Sequence, residues 1–204
     1  MTPESVSTAL QESASIKAQM AREQAGAIAA VIEAITNSLA SGGTVFFFGN
    51  GGSAADSQHL AAEMVGRFTL ERRALPAIAL TTDTSALTSI GNDYGFDRIF
   101  LRQLQGLGQD GDVAVGLSTS GNSPNVLLAL DAARERGMVT VAMTGASGGR
   151  MVDRVDFCLC VPSAVTARIQ ESHITVGHLI CQGIDEAFAA GRIPVERGRG
   201  PARQ

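Results

Sequence analysis

Five short, uninterrupted apolar runs constrain this chain more than any other feature: Thr44-Val45-Phe46-Phe47-Phe48, Ala77-Ile78-Ala79-Leu80, Val113-Ala114-Val115-Gly116-Leu117, Val139-Thr140-Val141-Ala142-Met143 and Phe157-Cys158-Leu159-Cys160-Val161. Runs this short and continuous suit strands buried on both faces, since a half-exposed strand would alternate apolar with polar residues. Between them lie stretches with helical spacing, such as residues 125–136. Strands that alternate with helices build a parallel sheet covered on both sides. The expected class is therefore α/β, a three-layer α-β-α sandwich around a five-stranded parallel sheet. In such sheets ligands collect beyond the carboxyl ends of the strands, so the chemistry should lie in the loops that follow them.

Long helices bracket the sheet in sequence. Val6, Leu10, Ile16, Met20, Ile28, Val31, Ile32, Ile35 and Leu39 recur at roughly helical spacing with no proline after Pro3, which predicts an extended N-terminal helix or a helical pair. Residues 165–189 predict the last helix. Its Ile169, Ile174, Val176, Leu179, Ile180, Ile184 and Phe188 cover more of the circumference than one sheet contact uses, so an oligomer interface is expected there. At 204 residues one domain is the default, expected over residues 1–192, with the Gly-, Pro- and Arg-rich residues 193–204 as a flexible tail.

Composition removes several classes of function. A net charge of −4, from 16 basic against 20 acidic side chains, gives no general footprint for nucleic acid or an acidic membrane surface. The one lysine, Lys17, is far from every Gly-rich loop, which leaves Schiff-base chemistry with almost no candidate nucleophile. No signal-like start and no run of eighteen apolar residues is present, so a cytoplasmic protein is expected. Cys158, Cys160 and Cys181 sit in apolar segments with no CxxC spacing and read as core residues.

Two loops are suited to an anionic, hydroxyl-rich ligand. After the first run comes Gly49-Asn50-Gly51-Gly52-Ser53, where glycines permit close backbone approach and the following helix start offers free N–H groups. The loop lacks the GxxxxGK[ST] pattern of a nucleotide-binding P-loop. After the third run comes Ser118-Thr119-Ser120-Gly121-Asn122-Ser123-Pro124, with Ser123 at an N-cap position and Pro124 at the first helical position. Capping accounts for those two residues but not for Ser118, Thr119 and Ser120, whose hydroxyls suit a phosphate.

A set of metal-ligand types lies on two helices. His59 and Glu63 are four residues apart and face the same way. Gln170 and His178, eight apart in the last helix, fall within about 80° on the helical wheel. Together these four would suit a Zn²⁺-like ion, but spacing by itself leaves open whether His59 and Glu63 are simply a solvated pair.

Taken in order, Phe48-Gly49-Asn50-Gly51-Gly52-Ser53-Ala54-Ala55-Asp56-Ser57-Gln58-His59 with Glu63, Gly91-Asn92-Asp93-Tyr94-Gly95-Phe96, Ser118-Thr119-Ser120-Gly121-Asn122-Ser123, and Arg168-Ile169-Gln170-Glu171-Ser172-His173 with His178 resemble the phosphoheptose (sedoheptulose 7-phosphate) isomerases of the sugar-isomerase (SIS) domain superfamily. The resemblance covers nearly the whole chain and implies a SIS domain, flavodoxin-like in plan. It implies substrate contacts from Asn50, Gly51, Gly52, Ser53, Glu63, Asn92, Asp93, Ser118, Thr119, Ser120, Ser123 and Gln170, and one zinc per subunit on His59, Glu63, Gln170 and His178. Acid–base work is implied for Glu63 and His178. A homotetramer is implied too, with Arg67 reaching a neighbouring subunit's site. Two rivals share the fold: a non-catalytic adaptor of the replication-initiator-associating type, and isomerases or lyases of hexose or amino-sugar phosphates. Neither is expected to need this His59, Glu63, Gln170, His178 set.

Overall fold

The computed structural model describes residues 1–196. Five parallel strands, β1 (Val45–Gly49), β2 (Ala77–Ala79), β3 (Val113–Ser118), β4 (Val139–Thr144) and β5 (Phe157–Cys160), form one sheet in the order β2-β1-β3-β4-β5. Every strand falls on one of the five apolar runs. Successive side chains leave opposite faces of a strand. Val45, Phe47, Val113, Val115, Leu117, Val141 and Met143 therefore enter one core, while Phe46, Phe48, Ala114 and Ala142 enter the other.

The first core is closed by α1 (Pro3–Glu23), α2 (Ala25–Ala40), α3 (Gly52–Val65) and α7 (Thr166–Ala189). The second is closed mainly by α5 (Ile99–Leu107) and α6 (Pro124–Glu135), with α4 (Thr84–Tyr94) beside them. A right-handed crossover places a helix on one face or the other according to the direction in which the chain moves along the sheet. The chain moves outward from β1 to β2 through α3 and returns past β1 to β3 through α4 and α5. Their loops diverge at the β1/β3 boundary and open a crevice there.

The N-terminal segment is a helical pair. The joint is Gln24, which caps both helices with its backbone at φ −115° and makes no side-chain capping bond. The apolar residues recur at helical spacing along the whole segment, but in α1 only Ile16 and Met20 are buried, while Val6 and Leu10 are exposed. At the other end packing continues one step past the expected boundary. Ile193 is fully buried, Arg192 pairs with Glu33 at 2.6 Å, and Arg73 donates to the Pro194 carbonyl. The rest of the expected tail, residues 197–204, lies outside the described residues. Among the described residues no helix is long and apolar enough to cross a membrane.

Candidate active site

The two Gly- and Ser-rich loops meet at the crevice. Gly51 adopts φ +58°, a conformation open to glycine at little cost, and this turns the chain from β1 directly into α3. Asn50, at the end of β1, and Asn125, in the first turn of α6, exchange two amide hydrogen bonds of 2.9 and 2.8 Å. This pair ties one loop to the other. In the second loop the Ser118 hydroxyl lies 2.9 Å from that of Ser123 and 3.4 Å from that of Ser120. Ser123 does occupy the N-cap of α6, with Pro124 following, but its hydroxyl makes no capping bond and is engaged with Ser118 instead. Thr119 and Ser120 also line a cleft of about 390 Å³ with Ser147, Ser163 and Thr166.

Gln170 belongs to this crevice. A methyl group added at Gly52 would lie 2.4 Å from the Gln170 Nε2, so the amide rests directly on the Gly52 backbone. Asn92 and Asp93 do not join these loops within the single chain. They are exposed near the end of α4, with the Asn92 amide donating to the Asp93 carboxylate at 2.7 Å.

A second centre forms between α3 and α7. His59 Nε2 stands 2.9 Å from His178 Nε2 and 3.4 Å from a Glu63 carboxylate oxygen, and one ligand atom from each of the three lies within 4.8 Å of the others. Close approach of the helices makes this possible: Gly177 presents no side chain to Leu60, and a methyl group there would meet the Leu60 Cδ2 at 2.4 Å. Phe68 stacks on the His178 ring at 5.4 Å between centroids and fixes its plane.

The three groups fit a divalent ion. Donors about 2.0–2.1 Å from a tetrahedral centre lie roughly 3.3 Å from one another, close to the two separations observed. Two imidazoles with one carboxylate are also a donor set that zinc accepts, with a further position open. The expected fourth donor, Gln170, is not with them. Eight residues at 1.5 Å rise put it about 12 Å along α7 from His178, on the Gly52 side. Seven residues of α3 likewise separate His59 from Gly52 by about 10 Å.

The surroundings differ in polarity. Three residues before His59, the Asp56 carboxyl is raised above its ordinary value by burial, an effect His59 partly opposes, and its Oδ2 has no hydrogen-bond partner. His173 is buried and faces the Thr144 carbonyl at 3.2 Å; burial pushes its pKa down to about 4, so it is a neutral core group. Arg67 is exposed and pairs with Glu71 at 3.5 Å on the surface.

The SIS domain family model matches residues 10–145. A phosphoheptose isomerase of Geobacter sulfurreducens is 60% identical over 165 residues, covering 81% of this chain and 87% of the relative. One of Roseiflexus sp. is 54% identical over 179 residues, 88% of this chain and 91% of the relative. The chain belongs to the phosphoheptose isomerase family of SIS-domain proteins. Its fold superposes on a phosphoheptose isomerase from Neisseria gonorrhoeae with a TM-score of 0.84 at 46% identity, covering 90% of this chain and 98% of that one. The corresponding values for the enzyme from Francisella tularensis are 0.87 and 37%, with 91% and 100% covered. The domain match ends before α7, so His178 is carried by the longer likeness to the isomerases.

Four residues at these centres carry no motif signal. Asn125 is visible in the sequence only as a polar residue in an apolar helical stretch. Phe68 follows α3 in an irregular segment. Arg72 and Asp185, which pair behind the ligand cluster, show no spacing relation because 113 residues separate them.

Proposed function

We propose that this protein isomerises D-sedoheptulose 7-phosphate to D-glycero-D-manno-heptose 7-phosphate, the first step of heptose nucleotide synthesis. The observation that carries the reading is the convergence of Glu63 and His178 with His59, in a chain that is 54–60% identical to phosphoheptose isomerases over the 165–179 residues aligned. Glu63 takes a proton from C1 and delivers it to C2 through an ene-diol(ate), while His178 exchanges protons with the substrate oxygen. A carboxylate is a suitable base for a proton next to a carbonyl, and Glu63 is largely withdrawn from solvent, with its side chain 24% exposed.

Ser118, Thr119, Ser120 and Ser123 bind the phosphate by hydroxyl donation. Asn50, Gly51, Gly52, Ser53 and Gln170 orient the sugar, with Asn92 and Asp93 also contacting it. Binding energy gathered at the phosphate holds the reacting carbons in place. An extended seven-carbon phosphate ester is roughly 10 Å long from bond lengths near 1.5 Å, comparable with the separation of the two centres along α3.

His59, Glu63 and His178 would hold one zinc per subunit. Gln170 would have to leave Gly52 to act as the fourth donor that the family resemblance implies. A bound ion would stabilise negative charge as it develops on the substrate oxygens. The assembly is a homotetramer, a reading supported by the exposed Leu179 on α7 and by Val6 and Leu10 on α1. Arg67, exposed four residues beyond Glu63, reaches a neighbouring subunit's site. Three free thiols accord with a cytoplasmic enzyme.

The decisive experiment is incubation with sedoheptulose 7-phosphate, with and without chelator, following the aldose by NMR. The aldose should form, and Glu63→Gln should lower kcat by about 10²–10⁴-fold while leaving the fold intact. A folded, metal-loaded protein that gives no aldose, or a Glu63→Gln variant with undiminished turnover, would overturn the assignment.

A further inference from the structure

Behind the ligand cluster lies a buried ion pair that the proposed chemistry does not use. The Arg72 side chain is completely buried and that of Asp185 nearly so, with Nε donating to Oδ1 at 2.8 Å. The rest of the guanidinium is spent on backbone: Nη2 donates to the Glu63 carbonyl at 3.0 Å, and Nη1 to those of Met64 at 2.9 Å and Arg73 at 3.1 Å. Glu63 and Met64 lie in the last turn of α3, where carbonyls have no partner within the helix. Asp185 completes the junction through its Oδ2, which accepts from the Leu70 N–H at 2.8 Å, the Thr69 N–H at 2.9 Å and the Thr69 hydroxyl at 3.2 Å. Burial alone would raise this carboxyl, but the Leu70 and Thr69 N–H groups and Arg72 together hold it below its ordinary value, so the pair is ionised.

Each end of the pair is rigidly linked to a ligand. Arg72 holds the backbone of Glu63 itself. Asp185 follows His178 by seven residues, two turns along the same face of α7. We propose that the Arg72–Asp185 pair is a positioning device, fixing how far α3 slides along α7 and so the spacing of His59 and Glu63 against His178. The inference rests on the metal reading of that cluster. A buried ion pair is weak evidence for stability, because apolar residues of similar volume often do as well. They cannot reproduce the directional bonds that lock two helices in one register, and Leu60 against the smooth surface of Gly177 supplies no such lock.

The test uses the full-length chain and three readouts: thermal unfolding, Zn²⁺ affinity by competition with a chromogenic chelator, and inorganic phosphate affinity by calorimetry. The double variant Arg72→Met/Asp185→Leu, apolar at both positions, is expected to stay folded with phosphate affinity unchanged. Its dissociation constant for Zn²⁺ should rise about 10- to 100-fold, as for other groups that orient metal ligands. Arg72→Lys, which keeps the charge but loses the planar fork, should fall between it and the wild type. A folded double variant with wild-type Zn²⁺ affinity overturns the proposal; if the double variant does not fold, unchanged affinity in Arg72→Lys does so. A wild-type protein that takes up no stoichiometric ion sinks the metal reading and this inference with it. Metal uptake without heptulose turnover sinks only the activity.

Discussion

The contact between Gly177 and Leu60 sets how closely α3 and α7 approach, and Gly177→Ala tests it. The added carbon would lie 2.4, 2.8 and 3.1 Å from Leu60 Cδ2, Cδ1 and Cγ. Carbon atoms rest at about 3.5–4.0 Å, so the nearest contact is short by more than about 1 Å. Leu60 is 1% exposed and sits in the first core, so it has no free space to retreat into. Overpacking of this kind costs about 1–3 kcal/mol. Alanine would otherwise favour the helix over glycine by up to about 1 kcal/mol, so the measured loss understates the clash. At roughly 2–4 °C per kcal/mol for a chain of this size, Tm should fall by several degrees. His59 and Glu63 move with α3 and His178 with α7. An opening approaching 1 Å exceeds the tolerance of about 0.2 Å on a metal–ligand distance, so Zn²⁺ affinity should drop at least tenfold. Leu60→Ala alone should cost about 2–5 kcal/mol by leaving a cavity, but the two changes together should cost clearly less than their sum, since the new methyl occupies the vacated space. Additivity within about 0.5 kcal/mol, with unchanged metal affinity, would refute the close-approach argument.

Three further outcomes follow from other residues. Protonation of His173 is delayed in the folded chain to about pH 4, against 6.5 when exposed, so the unfolded chain binds the extra proton between those values. Stability present at neutral pH should therefore be lost as pH falls from 6.5 towards 4, on the order of 3 kcal/mol in all, and His173→Gln should flatten urea midpoints over that window. Asn125→Ala strands the Asn50 amide in the crevice and should raise KM several-fold with a stability loss of about 1–3 kcal/mol; an unchanged KM would show that the pair does not order the loop. Gly52→Ala should displace Gln170 and raise KM without weakening Zn²⁺ binding, which rests on His59, Glu63 and His178; a matching loss of both would show that the centres are not separate.

The strands were legible as short apolar runs, each coinciding with an observed strand to within one or two residues. β1 and β3 are buried on both faces as expected, whereas at the sheet edges Ile78 of β2 is exposed and β5 is mostly half-buried. Val6 and Leu10 were not, because helical periodicity records which residues share a side but not whether anything packs against it. His59 and Glu63 were visible as an i,i+4 pair, whereas their meeting with His178 depends on α3 running beside α7. That contact is announced only by a small residue opposite a large one, Gly177 and Leu60. Gln170 shows the opposite failure: its place on the helical wheel agrees with His178, but the wheel discards the axial coordinate that separates them. Ser123 illustrates competition between partners, since a hydroxyl suited to capping found another hydroxyl nearer.

The two imidazoles that touch are 119 residues apart, and one of them is carried by the last helix of the described chain. Nothing made early in synthesis contains both. A chain that stops before α7 keeps His59 and Glu63 but lacks His178, and it also lacks the Ile169, Val176, Ile180 and Ile184 side chains that close the first core. Binding of an ion by all three groups would therefore report that α7 has closed on α3, and metal content would serve as a simple assay for correctly folded product.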